Sequence, residues 1–158
     1  MLATEAVMRA LAERLGEDGE LWGLAGLLHD LDYDLTVDNP ERHARQTAEW
    51  IDGQVHPEII HAIVAHPGHT ARESSMAKAL YAVDPLTGLI VACALIHPDK
   101  KLASIDADFV LNRFGEKRFA AGANREQIKA CSELGLALEE FVAIGVRSMQ
   151  GIAGDIGL

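Results

Sequence analysis

Residues 21–34 read Leu-Trp-Gly-Leu-Ala-Gly-Leu-Leu-His-Asp-Leu-Asp-Tyr-Asp. An apolar run of helical length ends in the pair His29-Asp30 and then meets Asp32 and Asp34. The end of a helix already carries partial negative charge from its macrodipole. Three carboxylates and an imidazole crowded there need a positive partner, and a divalent metal ion would be one. The run is apolar nearly all round, which predicts a central, buried helix over 18–29 with Asp18 as its N-cap.

The flanks are helical too. Leu2, Val7, Leu11 and Leu15 keep to one side of a first helix over 2–15, stopped by Gly16. Asn39-Pro40-Glu41 predicts a third helix to about Asp52, carrying His43. Pro57 opens a fourth, which carries His61 and ends near His66. A fifth starts after Ser74-Ser75 and carries Asp84; Pro85 should kink or interrupt it before the apolar stretch to Ile96. A short helix over 106–114 follows. Asn124 with Gln127 forms a capping box for a last helix to about Gln150, with Gly135 and Gly145 as weak points. No strand pattern and no repeat is seen. The expectation is one all-α domain over 1–150, a bundle of about six or seven helices, with a loose Gly-rich tail over 151–158.

The totals narrow the function. The 158 residues suffice for a real core, and 49% of them are apolar. A formal net charge of -10 argues against sequence-independent binding to a nucleic-acid polymer, which relies on clustered Lys and Arg. Cys93 and Cys131 lie far apart in apolar surroundings, as buried free thiols of a reducing compartment would. The longest uninterrupted apolar stretch, Leu89 to Ile96, is too short to span a bilayer, and no secretory signal is visible. A cytoplasmic protein without a membrane partner is expected. Trp22 and Trp50 read as core. The apolar first and last helices could pair two copies into a homo-oligomer.

Asp84 is the second chemical signal. A carboxylate inside an apolar helix needs a partner or a cation. It could also cap the segment that follows Pro85, and the two roles are compatible. His43 and His66, and less clearly His61, are candidates for a second metal; His61 and His66 do not share a helix face. His56, His69 and His97 sit in turns or before prolines, as surface residues do. The sparse basic groups, Lys100-Lys101, Lys117-Arg118 and Arg125, could meet an anion but read more simply as solvated surface. No dinucleotide, P-loop or nucleophile-elbow motif is present.

His29-Asp30 after a buried helix, with Asp84 about fifty residues on, resembles the HD-domain superfamily of metal-dependent phosphohydrolases, and more closely its small stand-alone HDIG-type proteins. The runs 21–33, 78–90 and 119–125 carry the likeness. The resemblance implies an HD-type helical fold. It implies a divalent metal ion (Mn, Fe, Co, Ni, Mg or Zn) on His29, Asp30 and Asp84. Asp30 would also orient the attacking water, and Asp32 and Asp34 would stand behind His29 and steer it. The implied substrate is a nucleotide or other small phosphorylated molecule, hydrolysed by metal-activated water. One family ligand, a first His, does not map onto the chain. In similar proteins it heads the first helix in a run like His-x-Leu-Ala-x-Glu-Ala, and residues 1–6 match the remainder of that run. Either the His lies upstream of Met1, as the uncapped start of the first helix suggests, or it has been lost. A chain without it could be an inert HD-fold binding or regulatory module.

Overall fold

The computed structural model describes residues 1–116 and 118–158; Lys117, one of the sparse basic residues noted above, lies outside them. Among the described residues there are nine α-helices and no strand. The helices are α1 (Leu2–Leu15), α2 (Gly19–Leu28), α3 (Tyr33–Thr36), α4 (Arg45–Ile51), α5 (Pro57–Ala65), α6 (Ser75–Ile96), α7 (Ala107–Phe114), α8 (Arg125–Lys129) and α9 (Leu138–Gly151). The count exceeds six or seven because the expected last helix is divided into α8 and α9 and a short extra helix, α3, follows α2.

Local chemistry sets most of the boundaries. Gly16 takes φ 76 and ends α1. The Asp18 carboxylate accepts from the N–H groups of Glu20 and Leu21. Ser74 caps α6 through the Ala77 N–H. His56 caps α5 through the Glu58 N–H, with Pro57 at the first helical position.

Two local signals are overridden. Residues 40–43 form turns, and helix resumes only at Arg45, after Ala44 at φ 64. His43 therefore stands in a turn rather than on a helix. The long last helix is instead α8, a 3-10 turn over Ala130–Leu134, and α9, divided where Gly135 takes φ 73. Gly145 is no weak point. A Cβ there would lie 2.9 Å from Leu86 Cδ2 and 3.0 Å from Ile90 Cδ1, so its bareness lets α9 close on α6.

The hub is α6. It touches α1, α2, α5, α7, α8 and α9, and it buries Leu80, Leu86, Leu89 and Ile90 completely. Helix continues through Pro85, so the proline does not interrupt it. The Thr87 hydroxyl donates to the Asp84 carbonyl at 2.9 Å, satisfying one of the groups around the proline. With 22 residues, and a mean hydropathy of 1.9 over an 18-residue window, α6 could cross a membrane by length and composition, but here more than half of that window is buried in the domain. The apolar faces of α1 and α9 pack on each other within the chain. Trp22 is core, whereas Trp50 is 43% exposed. Cys93 and Cys131 are buried free thiols. Residues 152–158 fold as turns and set Ala153, Ile156 and Leu158 against the core.

Candidate metal centre

The site is assembled where α2, the turns after it, α5 and α6 meet. His29 follows α2 directly, and its Nδ1 donates to the Gly26 carbonyl one turn back at 2.8 Å. His66 repeats this arrangement at the end of α5, with Nδ1 donating to Ile63 O at 2.6 Å. In both cases an unpaired helix-end carbonyl fixes the ring and leaves Nε2 as the free nitrogen. His43 reaches the same state another way: its Nδ1 lies 2.8 Å from Asp32 Oδ1.

The three free nitrogens converge on Asp30. Its Oδ2 is 3.2 Å from His29 Nε2, while its Oδ1 is 3.3 Å from His43 Nε2 and 3.7 Å from His66 Nε2. Asp84 Oδ1 closes the His29 side at 3.6 Å. His43 Nε2 and His66 Nε2 approach each other to 3.2 Å.

With each Nδ1 committed as a donor, the neutral imidazoles present lone pairs at Nε2, and the carboxylates are acceptors only. Such a set repels itself without a cation. His29 Nε2 is buried and has no hydrogen-bond partner, because its approach to Asp30 is out of line. Ligand atoms about 2.1 Å from one ion lie roughly 3–3.5 Å apart around it, which matches these spacings. The residues present therefore fit a divalent ion.

In the metal-free protein a proton on His29 supplies the missing positive charge. Burial disfavours the charged form of His29, but Asp30 and Asp84 outweigh it and lift its pKa to about 9. His66 is driven the other way, to about 4, by burial and by the charge on His29. Burial alone would raise Asp30, yet His29 holds its carboxyl below the usual range. Asp32 is also below its usual value; the Thr47 and Ala44 N–H groups and His43 overcome burial.

Not every sequence candidate arrives. Asp32 steers His43 rather than His29, since Gly26 holds the His29 ring. Asp34 is exposed, and among the described residues it makes no polar contact with the cluster. His61 is half-buried and, again among the described residues, has no polar contact with the cluster; five residues from His66, it lies round the helix from it. Asp84 is less buried than its apolar neighbours suggested, at 40% side-chain exposure, because it faces a cleft. That cleft, about 490 Å³, is bounded by Asp30, His43 and Asp84 on one side and by Gly88, Ala120 and Gly122 on the other.

Two residues with structural work here were missed. His69 Nε2 donates to the His43 carbonyl at 2.9 Å and pins the turn that presents His43. Arg125, read as surface, spends its guanidinium on backbone carbonyls instead.

Residues 1–97 match the family model described as HD domain. The chain belongs to the HD domain family. Membership of this superfamily of metal-dependent phosphohydrolases accounts for the acceptor cluster, since HD domains bind divalent metals through such residues. Among curated proteins, this HD domain chain is similar to Ribonuclease Y of Sulfurovum sp. (strain NBC37-1), with 37% identity over 129 residues, 79% of this chain and 25% of that protein. It is also similar to Ribonuclease Y of Wolinella succinogenes, with 40% identity over 78 residues, 49% of this chain and 15% of that protein. The chain thus spans a quarter or less of the length of these relatives. No solved structure gives a significant match.

Proposed function

We propose that this HD domain hydrolyses the phosphoester of a small phosphorylated molecule of the nucleotide class. The observation that carries the reading is the convergence of three Nε2 atoms on Asp30, with Asp84 closing the His29 side, beside an open cleft. His29, Asp30 and Asp84 would hold one divalent ion. His43 and His66, with the other oxygen of Asp30, would hold a second. When bound, such ions supply Lewis acidity toward a phosphoryl oxygen and water of lowered pKa.

The chain's own residues do the rest. Asp30 is 28% exposed and turns toward the cleft, so it can accept a hydrogen bond from an entering water and orient it. Gly26 and Ile63 carbonyls keep His29 and His66 in the ligating tautomer, and Asp32 does so for His43. The name of the two relatives points to phosphodiester chemistry. The net charge of -10 and a cleft of about 490 Å³ favour a small substrate over a polymer.

The test is turnover. Protein reloaded with Mn, Co, Ni, Mg or Fe should hydrolyse a generic phosphoester, and Asp30→Ala and Asp84→Ala should reduce this to background. Stoichiometric metal in the wild type without any turnover would transfer the fold to the inert binding-module reading.

A further inference from the structure

Arg125 donates every N–H of its guanidinium to backbone carbonyls. Nε serves Phe114 at 3.2 Å; one terminal nitrogen serves Ala120 at 2.8 Å and Ala123 at 2.7 Å; the other serves Phe119 at 2.7 Å and Arg113 at 3.5 Å. Five donors meeting five carbonyls is the full capacity of the side chain. The result fixes the end of α7 and the loop over 119–124, whose Ala120, Gly122 and Ala123 line the cleft opposite Asp30 and Asp84.

The geometry of the peptide unit gives this a consequence. In a planar trans peptide the C=O of one residue and the N–H of the next point in opposite directions. Since the carbonyls of Phe119, Ala120 and Ala123 turn in to Arg125, the N–H groups of Ala120, Ala121 and Asn124 turn away from it. Among the described residues none of these three N–H groups has a backbone acceptor. Ala120 sits at φ 44, the alternation by which successive N–H groups come to face one concavity and hold an anion. The half-buried positive charge behind the carbonyls polarises the same peptides in the same sense.

We propose that the loop over 119–124, shaped by Arg125, is a backbone subsite for a phosphoryl or other oxyanion group of the substrate. Arg125 is its positioning residue and touches no substrate itself. The proposal rests on the phosphoester reading for its substrate, but the loop can be tested without turnover. A cation exposed at this wall would attract anions of any shape. Peptide N–H groups in a fixed loop instead select an oxyanion seated against them.

The experiment compares wild type with Arg125→Met, Arg125→Lys and Gly122→Leu, all metal-loaded. A Cβ at Gly122 would meet no atom within 4 Å, so that variant fills the wall without disturbing the fold. The probe is inorganic phosphate, followed by calorimetric titration, together with KM and kcat for a phosphomonoester. All three variants should retain wild-type metal content. They should weaken phosphate binding and raise KM by about tenfold, the effect of losing one or two good hydrogen bonds, with kcat changed far less. Arg125→Lys should behave like Arg125→Met, because one ammonium cannot gather five carbonyls. Phosphate bound equally by all four proteins overturns the subsite, as does failure of the wild type to bind it. So does Gly122→Leu with unchanged KM, even if the Arg125 variants unfold. If the wild type turns over nothing but binds phosphate in a loop-dependent way, the hydrolase reading fails and the subsite stands.

Discussion

Asp32 Oδ1 lies 2.8 Å from His43 Nδ1, while Asp32 Oδ2 accepts the Thr47 N–H at 2.9 Å. Asp32 is completely buried, and its own N–H donates to the Thr47 hydroxyl at 3.1 Å. The carboxylate therefore has one arm fixed by backbone and the other free to dictate the state of His43. Asp32→Asn should keep its amide oxygen on Thr47 and turn its NH₂ toward His43. His43 would then accept at Nδ1 and carry its proton on Nε2, the wrong tautomer for a metal ligand. Metal affinity at the His43 side should fall by roughly 10–100-fold, as is usual when a ligand's orienting partner is lost. Metal titration with elemental analysis checks this. Unchanged stoichiometry and affinity would mean His43 does not ligate.

The two buried histidines predict how the metal-free protein responds to pH. The His29 pKa is raised from 6.5 to about 9, so its contribution is full below the ordinary value and is lost as pH climbs toward 9. The His66 pKa is lowered to about 4, so its contribution is full above the ordinary value and is lost as pH falls toward 4. The opposing slopes place the stability maximum of the metal-free protein near 6.5. Denaturation midpoints across pH 4 to 9 with chelator present would show a dome, and a monotonic profile would contradict the assignment. Metal binding at neutral pH must also displace the His29 proton. Calorimetry in buffers of different ionisation enthalpy should read about one proton released.

Chelation should destabilise the protein. Any ion that binds only the folded acceptor cluster adds about 2.7 kcal/mol at a concentration one hundred times its Kd. For a domain of this size that is a Tm shift of roughly 5–10 °C. The same shift should vanish in Asp30→Ala, because Asp30 faces every Nε2 of the cluster. A Tm indifferent to chelator and to added Mn or Co would argue that His29 and Asp84 serve packing alone.

The all-α fold and α2 were legible because their signals are local: an apolar run and a cap. His29, Asp30 and Asp84 were singled out by a charged pair at a helix end and a carboxylate in an apolar helix, and the fold brings the three within 3.6 Å of one another through His29. Asp32 was seen, but its partner was not. Its pairing with His43 depends on the turns over 40–43 and the positive φ of Ala44, which override the helix start that Asn39-Pro40 announces. His43 and His66 were named together as candidates for a second metal and do lie side by side, but their approach to Asp30 was not legible, since nothing in the sequence relates α5 to that turn. The role of Arg125 was illegible for a related reason: its partners are main-chain carbonyls, which leave no side-chain signature. Pro85 was read as a kink or a break, and the break does not occur. A proline normally ends a helix, yet the packing around α6 is sufficient to carry it through.

Three glycines in similar-looking apolar runs should respond differently to a methyl group. At Gly26 a Cβ would come within 2.9 Å of Glu5 N and of the Thr4 carbonyl carbon and oxygen, all main-chain atoms that cannot swing aside. Gly26→Ala must push α1 from α2, and overpacking of this kind costs about 1–3 kcal/mol. Because the Gly26 carbonyl also holds the His29 ring, metal affinity should drop with stability. Gly88 is exposed inside α6 with nothing within 4 Å of its Cβ, so Gly88→Ala gains helix propensity and should stabilise by up to ~1 kcal/mol. Gly122→Ala, on the loop with the same open space, should leave stability nearly unchanged. Urea denaturation of the three variants, with metal content measured alongside, separates these outcomes. A Gly26→Ala protein as stable and as metal-replete as the wild type would show that the α1–α2 contact has slack, and that the ring of His29 is held by something other than the close approach of those two helices.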